Sequence, residues 1–387
     1  MADSLHRITL LACFVVAFFA GAAGGDDVTK RRRSDPPVIR STWDDLLEGI
    51  KSREDWEPRG QVLKQRYLKL IRDDQKPMRP PLDLQVHETK VVDGIYKRLY
   101  ISYNVEADER AHAYLGIPLS IHGKAPAVVA LHGTYPSSNP LKQEAGLDPE
   151  PLQKTYDNAY VDHLCRRGFV VIAPEHFVSG ERTPPEGTYD TTRFYHKHPD
   201  WTAVGKFTFE HSIAIDVLQS LPEVDAANIG AMGHSLGGEG TYFLAAYDDR
   251  VKASVCNCGG TTFRHYREAD KWARERWYVY LKHLRPALLA GELPPIDIHE
   301  IIALIAPRAY LDVSGLNDGD PLTQRQRVLM LLKVADVYEL IGAPQNFAFF
   351  TQGRGHSVPY ESRELIYGFL EAHLKPADAT RSRRVPE

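Results

Sequence analysis

The chain is poor in sulfur, with four cysteines and four methionines in 387 residues. Cys13 lies inside an N-terminal apolar run, which leaves Cys165, Cys256 and Cys258. An odd number of remaining cysteines excludes a disulfide framework as the organiser of the fold. Cys256 and Cys258 stand two apart on an expected strand, so they face the same side and a bridge between them would be strained. All three read as buried free thiols. Charge of one sign is also lacking: 47 Lys and Arg stand against 51 Asp and Glu, a net charge of −4. With no basic face, nucleic acid is excluded as the expected partner. There is no internal repeat and no low-complexity tract. His196 and His198 stand close together but lack a third ligand at suitable spacing, so no metal and no cofactor is expected. Long apolar runs are confined to Ile8–Ala23, which is short for a bilayer span of about 20 residues.

That run has the character of a targeting segment. His6 and Arg7 precede it, and Ala20-Gly21-Ala22 fits a small-x-small cleavage site. Lys30-Arg31-Arg32-Arg33 follow the run and outnumber the basic residues before it, which works against clean export. A secreted or periplasmic protein is expected, with a retained signal anchor as the alternative. The chain then divides into a signal peptide (1–22), a linker and N-terminal helical extension (23–88), a catalytic domain (89–375) and a polar tail (376–387). In the extension, Trp43, Leu46, Leu47 and Ile50, then Val62, Leu63, Tyr67, Leu70 and Ile71, recur at helical spacing.

Beyond the extension, apolar strand-like runs alternate with helical patterns. Tyr96–Val105 and Ala111–Ile117 read as an antiparallel pair. Strands are then expected at 127–132, 169–174, 229–233, 253–258, 308–314 and 347–351. Helices are expected at 155–167, 204–221, 236–247, 321–341 and 359–373. This alternation predicts an α/β fold with a mostly parallel central sheet covered by helices on both faces.

The most informative stretch is Gly233-His234-Ser235-Leu236-Gly237, a Gly-x-Ser-x-Gly pentapeptide between an expected strand and an expected helix. That setting puts a serine hydroxyl on a sharp, strained elbow at the top of a sheet. A serine is a poor nucleophile until a base takes its proton, and a third group must orient the base. In this class of site the order along the chain is Ser, acid, His. Asp318 and Asp320 compete for the acid role in the loop after strand 308–314. Asp320 precedes Pro321 and a helical pattern, so it reads as an N-cap with proline at the first helical position. Asp318 is therefore the expected triad acid. His356, on the glycine-containing loop after the last strand, is the expected base. Backbone amides must hold the oxyanion. That of Leu236, next after the nucleophile, is one; the other is expected from Thr134, or second from Tyr135, after strand 127–132. His132 is expected to pack beneath that loop.

With these residues in place the chain resembles the α/β-hydrolases of the dienelactone hydrolase and prolyl-oligopeptidase-like group. It is similar to bacterial acetyl xylan esterase-like members. The matching stretches are ALHG at 130–133, GFVVIAPEHFVSGER at 168–182, DVLQSLPEVDAANIGAMGHSLGG at 216–238, APRAYLDVSGLNDGD at 306–320 and GRGHSVP at 353–359. The resemblance implies the α/β-hydrolase fold, a serine nucleophile and no cofactor. The chain departs from dienelactone hydrolases proper, which are shorter and use cysteine, and it lacks the Gly-Tyr-x-Gly oxyanion pattern of the acetyl xylan esterase type.

Two insertions bear on specificity. Ser179–Asp200 follows the fourth strand, and Glu175, just before it, is a candidate substrate contact. The second, about 261–305, holds Phe263, Trp272, Trp277, Tyr278 and Tyr280. Trp277, Leu281 and Leu284 fall at helical spacing, which suits a core-packed helix; a lid with Trp277 against substrate is the sharper alternative. The expected activity is hydrolysis of a carboxylic ester, short in its acyl part, on a small-molecule or carbohydrate substrate. A prolyl-oligopeptidase-like peptidase and a non-catalytic binding protein on the same scaffold are the alternatives. Nothing in the sequence fixes an oligomeric state.

Overall fold

A computed structural model describes residues 46–134, 158–264, 271–272, 274–290, 292 and 294–375. The chain separates into Met1–Val38 and Ile39–Glu387, and every described residue lies in the second unit. The expected signal segment, Trp43, Tyr135 and the tail from residue 376 lie outside the described residues.

Nine strands form one sheet: β1 Gln85–Val92, β2 Tyr96–Glu106, β3 Glu109–Pro118, β4 Ala125–Leu131, β5 Val170–Pro174, β6 Val224–His234, β7 Val251–Asn257, β8 Ala309–Gly315 and β9 Phe347–Gln352. Their order is β1-β2-β3-β5-β4-β6-β7-β8-β9. The first three strands and the β3–β5 pair are antiparallel, and every pair from β5 to β9 is parallel. The helices are α1 Arg53–Leu70, α2 Tyr160–Arg166, α3 Thr192–Lys197, α4 Ala203–Ser220, α5 Leu236–Tyr247, α6 Arg285–Leu289, α7 Ile298–Ala303, α8 Pro321–Leu340 and α9 Tyr360–Leu374.

Side chains on a strand alternate between faces, and β4 shows the consequence. Its Ala127, Val129 and Leu131 join a core with α4, α5 and α8, whereas Val128 and Ala130 join a second core with α2 and α9. This is the α/β-hydrolase fold, with both faces of the parallel sheet covered.

Two expectations need correction. Residues 46–50 form a turn rather than a helix. The helix begins at Arg53, where the Ser52 side chain caps it by accepting from the Asp55 amide at 3.2 Å. The catalytic unit also starts earlier than residue 89. Gln85 already pairs with Ser102, so the boundary cuts through β1. That strand was illegible because seven of its eight residues are exposed, which leaves no apolar alternation to read.

Helix α1 is tied to the nucleophile helix. Its Trp56, Leu63, Tyr67 and Leu70 are buried in the larger core. The Tyr67 hydroxyl donates to the Phe243 carbonyl at 2.7 Å, and the Lys64 ammonium donates to the Tyr247 carbonyl at 2.9 Å. The Tyr247 carbonyl belongs to the last turn of α5, which has no intrahelical donor to satisfy it, and Phe243 lies one turn further back. The extension thus caps the far end of the helix that begins at the candidate nucleophile.

Candidate functional site

Strand β6 runs directly into α5 with Ser235 between them as N-cap. Ser235 has φ 58° and ψ −118°, a conformation that costs an L-residue energy and persists only where the surroundings impose it. Two features impose it. The Ser235 amide donates to the Asn257 carbonyl at the end of β7, at 2.9 Å. The glycines on either side also let the chain close up. A Cβ on Gly233 would lie 2.4 Å from the Gly237 backbone, and one on Gly237 would lie 1.9 Å from the Leu131 carbonyl oxygen. No side chain fits at either position, so the pentapeptide's glycines follow from the turn itself.

The loops after β8 and β9 bring the expected base and acid together. His356 Nδ1 lies 2.8 Å from Asp318 Oδ2. An ionised carboxylate only accepts, so Nδ1 donates and Nε2 is the ring nitrogen left to act as base. Burial alone would raise the Asp318 pKa, but the His356 hydrogen bond and charge, with Arg327 behind them, lower it. The acid therefore stays ionised beside its histidine. Asp320 does what its position implied: its carboxylate accepts from the Thr323 amide at 2.8 Å and caps α8, with Pro321 opening the helix.

His356 packs against the elbow. Its ring lies 4.6 Å from that of His234, the residue before Ser235. Burial first, and then the neighbouring His356 charge, lower the His234 pKa to about 3. His234 therefore stays neutral. Asn257 joins the parts. Its side-chain amide meets His234 Nδ1 at 2.6 Å and donates to the Ser357 carbonyl at 3.3 Å, while its backbone carbonyl holds the Ser235 amide. One residue at the end of β7 thus couples the nucleophile turn to the loop carrying the base. Sequence reasoning missed it, because its partners come from two other segments.

The site has one candidate set of metal ligands among the described residues: Cys258, Asp318 and His356 present ligand atoms within 4.8 Å of one another. Burial pushes the Cys258 thiol up to about 12, so it holds its proton where a soft metal needs thiolate. The His and Asp already hold each other, and the set fits proton transfer better than metal binding. Cys165, Cys256 and Cys258 are all buried free thiols.

Of the oxyanion candidates, Leu236 is the first residue of α5 and is buried. Thr134 ends the described part of the loop after β4. Tyr135 lies outside the described residues. The Gly133 carbonyl accepts from His132 Nδ1 at 2.7 Å and from the Tyr189 hydroxyl at 3.4 Å.

Glu175 is not a substrate contact. Its side chain is fully buried, and its carboxylate accepts from the amides of His112 and Glu181 at 2.9 Å each and from Arg182 Nε at 3.0 Å. Arg182 is itself buried and engages Glu109 and Glu210 as well. A fully buried carboxylate committed to these donors is not presented to a ligand.

Trp277 is not on a helix. It and Tyr278 both have positive φ, 58° and 52°, in an irregular stretch. The spacing to Leu281 and Leu284 is coincidental. Tyr278, Tyr280 and Leu281 turn into the core, while Trp277 is 45% exposed. The first insertion holds this stretch in place. The Tyr278 amide donates to the Tyr189 carbonyl at 2.6 Å, and the Tyr195 hydroxyl donates to the Val279 carbonyl at 2.7 Å. The Tyr189 ring meets the Trp277 indole edge-on at 5.9 Å. Because Tyr189 also reaches Gly133, the exposed indole is linked through one side chain to the loop holding Thr134.

Comparison with known proteins finds matches in sequence and in fold. A family profile described as "Glucuronyl esterase, fungi" matches residues 182–342, less than half of the chain; the match includes Ser235 and Asp318 and ends before His356. YtaP of Bacillus subtilis (strain 168), named a hydrolase, is 26% identical over 303 residues, covering 77% of this chain and 95% of that protein. Carbohydrate esterase MZ0003 from an unknown prokaryotic organism is 25% identical over 192 residues, 46% of this chain and 40% of its own length. Among solved structures, a glucuronoyl esterase from Solibacter usitatus superposes with a TM-score of 0.64 at 20% identity, covering 84% of this chain and 94% of that one. The chain has the α/β-hydrolase fold and is similar to glucuronoyl and acetyl xylan esterases of solved structure.

Proposed function

We propose that this serine ester hydrolase cleaves a carboxylic ester joined to a carbohydrate, through an acyl-enzyme on Ser235. The observation that carries the reading is the His356–Asp318 pair, 2.8 Å apart, on loops beside a serine held in a strained strand-to-helix turn. Ser235 Oγ attacks the ester carbonyl while His356 Nε2 takes its proton. Asp318 keeps the imidazole in the Nδ1–H tautomer and stabilises the cation. The amides of Leu236 and Thr134 receive the oxyanion. His356 then protonates the leaving alcohol and activates the water that frees the acid.

Trp277 is the substrate platform in this reading. An exposed indole presents a flat apolar face of the kind sugar rings stack on, and Arg274 lies 5.0 Å from its centroid. The carbohydrate part of the substrate rests on the named relatives and on this platform. A short acyl group and export to the periplasm or medium complete the proposal; the latter rests on the Ile8–Ala23 run.

The deciding experiment is a panel of aryl acetates through decanoates, methyl esters of uronic acids, acetylated sugars and aminoacyl anilides. Uronate or sugar-ester turnover exceeding that of the aryl esters supports the proposal. Turnover of anilides in preference to esters would move the chain to the peptidase reading.

A further inference from the structure

Three histidines from distant parts of the chain meet beneath the oxyanion loop. His132 follows β4, His176 follows β5 and His211 lies in the middle of α4. All three are buried, at 0%, 1% and 1% exposure. Their partners fix their protons. His132 Nε2 accepts from the His176 backbone amide at 3.1 Å, so it bears no hydrogen, and Nδ1–H donates to the Gly133 carbonyl at 2.7 Å. His176 Nε2 faces the His132 carbonyl at 2.7 Å. A carbonyl only accepts, so this nitrogen carries the hydrogen. In a neutral ring His176 Nδ1 then accepts, and the His211 Nε2–H, 3.1 Å away, donates to it. His211 Nδ1 is left bare and buried with no partner. Each ring has one possible neutral tautomer, and a second proton on any of them would break a bond or be buried without an acceptor.

The chain of bonds ends on the peptide between Gly133 and Thr134. In a planar trans peptide the C=O and N–H point in opposite directions. His132 and the Tyr189 hydroxyl hold the Gly133 oxygen on one side, so the Thr134 N–H is turned to the other. Holding His132 in turn requires His176, which binds both its ring and its backbone carbonyl, and His211 fixes the His176 tautomer.

We infer that His132, His176 and His211 form a neutral, tautomer-locked relay that positions the Thr134 amide as an oxyanion donor. This rests on the proposed role of Thr134, and His176 is a positioning residue rather than a catalytic one. The surroundings support neutrality. Burial above all lowers the His132 pKa to about 4 and puts those of His176 and His211 well below the usual imidazole range. The charged groups acting on the relay are Arg182 and Glu175 from the loop after β5, with Glu210 of α4 paired to Arg182 and Lys206 paired to Glu210. They are paired among themselves, and Phe207 covers His176 and His211 with ring distances of 4.8 and 4.1 Å.

The test combines kinetics with a measurement on the unmodified enzyme. His176→Phe keeps ring volume and removes both side-chain bonds; His176→Gln restores an N–H near the Nε2 position. Deleting one oxyanion donor costs about 10²–10³ in kcat, and misdirecting one should cost roughly tenfold to a hundredfold. His176→Phe should therefore lower kcat and kcat/KM together by that factor, leave KM nearly unchanged and slow fluorophosphonate labelling of Ser235 in parallel. His176→Gln should recover most of the loss. Folded His176→Phe with wild-type kcat, or equal losses in the Phe and Gln variants, would overturn the inference. If His176→Phe does not fold, nitrogen-15 histidine spectra of the wild-type enzyme decide. Three neutral rings with the tautomers assigned above, unchanged from about pH 5 to 8, are required, and titration of any of them in that range sinks the relay. An enzyme that labels with fluorophosphonate but cleaves no ester would refute the proposed substrate class while leaving these spectra a valid test of the relay.

Discussion

Two carboxylate–histidine pairs stand just beyond strands β5 and β8, and only one of them is placed for chemistry. Glu175 after β5 meets His112 Nδ1 at 3.2 Å; Asp318 after β8 meets His356 Nδ1 at 2.8 Å. The distances are close, but the surroundings differ. Glu175 is sealed in and already engaged by Arg182 and two backbone amides, so its pair is part of the protein's frame. Asp318 keeps few competing donors, and the His356 side chain is 42% exposed, with its Nε2 left over. A carboxylate beside a histidine is therefore no evidence of catalysis by itself. The histidine's second nitrogen must be free, and a nucleophile must be within its reach, the role proposed for Ser235, whose neighbour His234 packs against the His356 ring.

The strongest way to break this comparison is to remove the nucleophile or the free nitrogen. Ser235→Ala and His356→Ala should each lower kcat by about 10⁴–10⁶ without loss of fold. Their melting temperatures should stay close to that of the wild type. Stopped ester turnover together with an intact thermal transition is the expected pair of results; near-normal turnover in Ser235→Ala would remove Ser235 from its role.

The two acids should then separate by kind of damage. Asp318→Asn removes the group that holds the His356 tautomer, and a loss of about 10⁴ in kcat is expected. Asp320→Asn keeps an oxygen able to cap α8 and should change both rate and stability little. Acidification sharpens the contrast. Folding lowers the Asp318 pKa, so its ionised form favours the native state above the unfolded-state pKa of about 3.9, and that contribution disappears as pH falls through the lower folded value. The stability gap between wild type and Asp318→Asn, followed by thermal melting from neutral pH downwards, should narrow only in that acidic window. A gap that widens there would contradict the assigned direction.

Glu175→Gln should do the opposite of Asp318→Asn. It weakens the compensation of a buried guanidinium and aims an amide N–H₂ at existing donors. Breaking a buried ion pair costs about 3–5 kcal/mol; here Glu109 and Glu210 still hold Arg182, so a smaller loss of roughly 2–3 kcal/mol is expected, read from the urea midpoint. The folded enzyme should keep its kcat within about threefold. A large fall in kcat at unchanged stability would return Glu175 to the substrate site.

How much of this was legible beforehand depends on how far apart the partners lie. The elbow, the Ser–Asp–His order and the sorting of Asp318 from Asp320 are local signals, each carried by a few consecutive residues, and the alternation of strands and helices is nearly as local. Asn257, Arg182 and the three histidines act through partners in other segments, up to 100 residues away, brought together by the sheet order and by α4. No periodicity encodes them. Strand β1 escaped because its residues are exposed, and Trp277 misled because helical spacing says nothing about backbone dihedrals, which are left-handed at both 277 and 278.

The smallest expected effect concerns that tryptophan, and it decides whether the two insertions serve the substrate or only the fold. Trp277 is half outside the core, so Trp277→Ala removes little buried area and should cost little stability. If the indole stacks on the carbohydrate in both ground and transition states, its loss is one of uniform binding, and KM should rise while kcat holds. A face contributing about 1–2 kcal/mol corresponds to roughly a fivefold to thirtyfold rise in KM for sugar esters. The same variant should treat small aryl acetates, which do not reach the platform, almost as the wild type does. Equal KM shifts on both substrate types would mean that Trp277 shapes the site through Tyr189 and Gly133 instead of touching sugar, and a fall in kcat alone would place its effect on the oxyanion loop.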